Sequence, residues 1–116
     1  MPKHDFILYK KKPNYFTNFI SNEYFNERKY YRVKIDDDII EGISFINVET
    51  YFNYYRKKYK RNDLNFWGIT IIPPESLEQF LKIIKSHNKN NEAMNELIKL
   101  TEEAIDNNYY IIHYGI

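Results

Sequence analysis

Seven residues, Phe66-Trp67-Gly68-Ile69-Thr70-Ile71-Ile72, form a near-continuous apolar run that ends at Pro73-Pro74. A strand with one wet face alternates apolar and polar residues. A run without alternation suits a central strand covered on both faces. The run therefore predicts a sheet, with the Trp67 strand at its centre. A second apolar stretch at 109–114 is the other candidate for that centre.

The remaining elements follow from periodicity and punctuation. Residues 6–9 predict a short strand, ended by Lys10-Lys11-Lys12-Pro13. Tyr31, Val33 and Ile35 alternate with Tyr30, Arg32 and Lys34 and predict a second strand. Asp36-Asp37-Asp38 reads as a turn and 39–46 as the returning strand, bulged at Gly42. Asn47 is a candidate N-cap for a helix over 48–60, with Val48, Tyr51, Phe52, Tyr55 and Tyr59 on one face. Pro74 suits the first turn of a second helix, and Ser76 with Gln79 fits a capping box. Leu77, Phe80, Leu81 and Ile84 would be its buried face. A third helix spans 91–107, with an Asn107-Asn108 stop. The order β-β-β-α-β-α-α-β predicts an α+β domain: one mixed or antiparallel sheet, with three helices packed mainly on one face. At 116 residues this is a single domain over 1–116. An apolar fraction of 43% and an aromatic fraction of 18% supply a core and exclude a disordered chain.

The composition excludes several chemistries. With no cysteine there is no disulfide framework, thiolate nucleophile or Cys-based zinc site. His4, His87 and His113 have no metal-ligand spacing, and His113 is expected half-buried and bonded to a carbonyl. Ser21, Ser44, Ser76 and Ser86 lie in no nucleophile elbow. The carboxylate pairs Glu75 with Glu78 and Glu92 with Glu96 read as solvated helix faces. Gly42, Gly68 and Gly115 are too scattered to cradle a phosphate. The expectation is therefore a chain with no catalytic centre, metal or cofactor. The apolar run at 6–9 is too short for a secretion signal, and no stretch has the ~20 apolar residues of a membrane span. These observations predict a cytoplasmic protein without a membrane partner.

Charge is distributed unevenly. Residues 1–61 carry 13 Lys/Arg and 8 Asp/Glu, a net of +5, whereas 62–116 carry 4 and 8, a net of −4. The basic run holds Arg56, Lys57, Lys58, Lys60 and Arg61. At a helix end these cations would complement the dipole; otherwise they could meet a nucleic-acid backbone. A whole-chain charge of +1 argues against the second use. The acids break local rules more plainly. Asp36, Asp37 and Asp38 crowd one turn, near Glu41, and Glu102, Glu103 and Asp106 oppose the dipole of the third helix. These seven acids are the candidate partner-binding residues, forming an acidic surface that steers a basic partner. Among the twelve tyrosines, Tyr51, Tyr55 and Tyr59 read as core, and Tyr15, Tyr24, Tyr30 and Tyr54 as surface available to an interface.

Two segments carry a resemblance. Phe66-Trp67-Gly68-Ile69-Thr70-Ile71-Ile72-Pro73-Pro74-Glu75-Ser76-Leu77 resembles the strand, Pro-Pro break and helix start of small bacterial immunity proteins. These proteins neutralise the toxins of polymorphic and contact-dependent growth inhibition systems. Tyr110-Ile111-Ile112-His113-Tyr114-Gly115-Ile116 resembles their closing strand. The likeness covers the C-terminal half and rests on scaffold. It implies a cytoplasmic, non-catalytic α+β domain that binds a cognate toxin domain and blocks it, and it transfers no binding residue.

Overall fold

The computed structural model describes residues 2–14, 16–19 and 30–116. Among them six strands form one sheet: β1 (Lys3–Tyr9), β2 (Arg32–Asp36), β3 (Glu49–Phe52), β4 (Lys60–Asn62), β5 (Ile69–Ile72) and β6 (Tyr110–Tyr114). Their spatial order is β2-β1-β6-β5-β3-β4, with every pairing antiparallel. The described helices are α1 (Asp37–Glu41), α2 (Leu77–His87) and α3 (Glu92–Asn107). The architecture is α+β, and the two apolar runs, β5 and β6, lie side by side at the sheet centre.

Strand alternation divides the core in two. Phe6, Leu8, Val33, Ile35, Ile72 and Ile111 face the layer of α2 and α3. Ile7, Tyr9, Ile69, Ile71, Ile112 and Tyr114 face the other side, where Phe19, Tyr51 and Tyr55 pack on them. The central strands are thus buried on both faces, which is what their unbroken apolar character requires. Phe80 of α2 is fully buried, its ring 5.9 Å from that of Phe6 and 5.4 Å from that of Phe45.

Local chemistry sets the helix ends. The Asn91 side chain accepts the Met94 amide at 3.0 Å and caps α3, and Asn108 closes it in the left-handed region at φ 59°. Pro74 opens a 3₁₀ turn, Pro74–Ser76, that leads into α2. Ser76 makes no capping hydrogen bond, so the predicted capping box does not form.

Two predicted elements are corrected. The returning strand at 39–46 is instead the one-and-a-half-turn helix α1 and a loop. Asp37 and Asp38 occupy its first turn, where anions suit the dipole, and the buried Ile40 and Ile43 have helical spacing. The partner of β2 is β1, in register from Lys3↔Asp36 to Ile7↔Arg32. The helix predicted over 48–60 is the hairpin β3–β4 with a 3₁₀ turn, Lys57–Tyr59. Thr50, Tyr51 and Phe52 are strand formers, and Asn53 at φ 68° breaks any helix there. The i,i+4 pair Tyr51–Tyr55 still meets, edge to face at 4.7 Å, across the turn rather than along a helix. Tyr15 and Tyr24 lie outside the described residues.

Replacing Phe80 with alanine empties the contact between sheet and helix layer. We expect a loss of about 3–5 kcal/mol in chemical denaturation, with an unchanged slope against denaturant. A loss below about 1 kcal/mol would show that Phe80 is not the joint between the layers.

Candidate interaction surface

The strand registers bring five segments to one end of the sheet. They are the end of β2 at Asp36, the start of β1 at Lys3, the end of β6 at Tyr114, the approach to β5 at 65–68, and the β3–β4 turn at 53–59. Trp67 stands at the middle of this end with 79% of its surface exposed. It is held rather than loose. The Gly115 amide donates to the Gly68 carbonyl at 2.7 Å, and the Ile116 amide donates to the Phe66 carbonyl at 2.9 Å. A Cβ on Gly115 would overlap the Phe66 carbonyl, so only glycine allows this approach. The Phe66 ring packs edge-on against His4 at 5.4 Å.

Beneath Phe66 runs a buried polar chain. His4 Nε2 lies 2.7 Å from Asp37 Oδ1, and His4 Nδ1 lies 2.7 Å from His113 Nε2. His113 Nδ1 lies 3.1 Å from Thr70 Oγ1, which accepts the Asn65 amide at 2.8 Å. His4, Thr70 and His113 are all fully buried. Asp37 accepts from His4 Nε2–H, one proton is shared between His4 Nδ1 and His113 Nε2, and His113 Nδ1 pairs with the Thr70 hydroxyl. Burial holds the His113 imidazole well below the usual histidine range, and the His4 ring reinforces this. The network joins residues 109 positions apart, so no sequence spacing announces it. His113 is thereby corrected: it is fully buried and bonded to His4 and Thr70, not half-buried against a carbonyl.

The seven candidate acids are divided. Asp36, Asp37, Asp38 and Glu41 lie at the Trp67 end, whereas Glu102, Glu103 and Asp106 lie on the last turns of α3, which lead into the opposite end of β6. Lys3 pairs with Asp36 at 2.7 Å, and Lys85 with Glu102 at 3.6 Å. Asp37, Asp38 and Glu41 hold carboxylate oxygens within 4.8 Å of one another, a geometry a cation could use, but His4 already engages Asp37. The basic run does not cap a helix. Arg56, Lys57 and Lys58 sit on the β3–β4 turn, and Lys60 and Arg61 on edge strand β4. The Arg56 guanidinium lies over the Tyr54 ring at 4.9 Å, and Lys58 Nζ lies 5.3 Å from the Tyr59 ring centre. Asp5, buried on the sheet's other face, has its carboxyl pushed up by that burial, with Lys34 and Arg32 opposing the shift. No helix among the described residues is long and apolar enough to cross a membrane.

No protein-family model, curated protein or solved structure matches the chain.

The neutral His113 makes stability depend on pH. Its folded value is depressed, so below about pH 6.5 the unfolded chain binds a proton that the fold refuses. Stability should fall on acidification from that point, by up to about 1.4 kcal/mol per pH unit for this group. Denaturation midpoints between about pH 7 and 5 will show the slope, and His113→Gln should flatten it. An equal slope in the variant would remove His113 as the cause.

Proposed function

We propose that the chain is a non-catalytic protein-binding domain of the immunity type, which occupies a cognate bacterial toxin domain in the cytoplasm. The single observation behind this reading is Trp67, a large aromatic held nearly bare on a pinned turn. Tryptophan is enriched among the residues that anchor protein interfaces, and one already held in place adds apolar area at little entropic cost. Asp38 and Glu41, exposed after β2 at the edge of the same sheet end, would steer a basic partner. In this reading Glu102, Glu103 and Asp106 lie off the contact.

Co-expression is the direct test. The toxic region encoded beside this gene is produced with the wild-type chain or with Trp67→Ala. The wild type should restore growth and copurify, and Trp67→Ala should weaken binding by about 30-fold or more. Failure of the wild type to protect would overturn the reading.

A second reading is favoured by the cationic turn with Tyr54 and Tyr59, which fits single-stranded nucleic acid. It predicts retention of oligonucleotide at about 50 mM salt that fades as salt rises. Absence of retention at that salt excludes it.

A further inference from the structure

We propose that the Trp67 end of the sheet pairs with a second copy of the chain about a two-fold axis. The strand order separates the charges at this end. Across this end the sequence of strands is β2-β1-β6-β5-β3-β4. Asp37, Asp38 and Glu41 follow β2 at one edge, and Arg56, Lys57 and Lys58 precede β4 at the other. Trp67 and Ile116 belong to the central strands, next to β5 and β6. The end is therefore acidic on one flank, apolar in the middle and basic on the other.

The nearby ion pairs do not erase this pattern. Lys3 neutralises Asp36, and Glu49 neutralises Lys60 at 3.2 Å. Asp38 and Glu41 stay exposed on one flank, and Lys57 and Lys58 on the other. Six strands at about 4.8 Å spacing put the flanks about 24 Å apart. That is about three Debye lengths at physiological salt, so the two flanks of one molecule barely neutralise each other.

A surface of this kind is self-complementary. Rotating a second copy by half a turn about an axis between β5 and β6 sets acid on base twice. It also lays each Trp67 against the Ile116 and Trp67 of the other copy. An isologous contact needs this identity between a patch and its own rotated complement. A merely basic partner would satisfy the acidic flank and face Lys57 and Lys58 with like charge. The inference competes with the inhibitor reading for Trp67 and the acidic flank; it requires no toxin, and it uses the basic turn that the inhibitor reading leaves idle.

Sedimentation velocity on the full chain over a concentration series tests it. The wild type should move from monomer to dimer, and raised salt should shift the transition to higher concentration. Asp38→Lys with Glu41→Lys makes both flanks basic, and Lys57→Glu with Lys58→Glu makes both acidic. These positions are exposed, so both variants should fold, which circular dichroism verifies. Each alone should stay monomeric, and an equimolar mixture should form a heterodimer. Trp67→Ala should abolish pairing without altering the fold. A wild type that remains monomeric at all concentrations overturns the proposal, as does a dimer indifferent to these charges and to Trp67. Growth protection lost while pairing persists would fell the inhibitor reading alone.

Discussion

The pairing of β1 with β6 is the contact on which the rest of the molecule depends. It joins residues near the start of the chain to residues near its end, from Asp5↔Tyr114 to Tyr9↔Tyr110. β2 reaches the sheet only through β1, and β5 with the β3–β4 hairpin only through β6. Helices α2 and α3 lie on the floor these strands make. The stacked rings of His4 and His113 fix the register of the pair at one end, and in that register each ring supplies the other's hydrogen-bond partner. A slip of one residue would turn one imidazole to the opposite face, so the two rings would lose each other and their nitrogens would be stranded among apolar side chains.

That dependence explains what the sequence discloses and what it hides. β5, β6, α2 and α3 are legible because their signals are local: unbroken apolar runs, Pro73-Pro74, the Asn91 cap and the left-handed Asn108. The 48–60 segment misleads because Tyr51 and Tyr55 satisfy a helical repeat while sitting on a hairpin. The Asn53 backbone decides the matter, and asparagine tolerates positive φ without demanding it. The segment after β2 misleads in the other direction. Ile39 and Ile40 look like a strand until Asp37 and Asp38 are recognised as a first helical turn.

The functional surface divides along the same line. The acidic turn at 36–38 is visible as a local anomaly. Its placement at the same sheet end as Trp67 is not, because that follows only once β1 and β6 have been laid between β2 and β5. Trp67 itself is read from sequence as part of a buried strand, but the strand begins at Ile69 and leaves the indole outside. Glu102, Glu103 and Asp106 look equivalent to the first cluster by composition alone, and the register of β6 sends them to the far end. The His4–Asp37 bond ties the acidic flank to the buried core, so the surface and the buried His113 belong to one network.

The Trp67 end is proposed as the adhesive face of the molecule. The chain has a single tryptophan, so one indole N–H resonance reports directly on that face. Proton–nitrogen correlation spectra recorded over a dilution series would test the claim most directly. The Trp67 indole signal should move with concentration, together with the amides of Asp38, Lys57, Lys58 and Ile116. Shifts confined to the α3 end around Glu102 and Asp106, or a Trp67 signal that never moves, would contradict it.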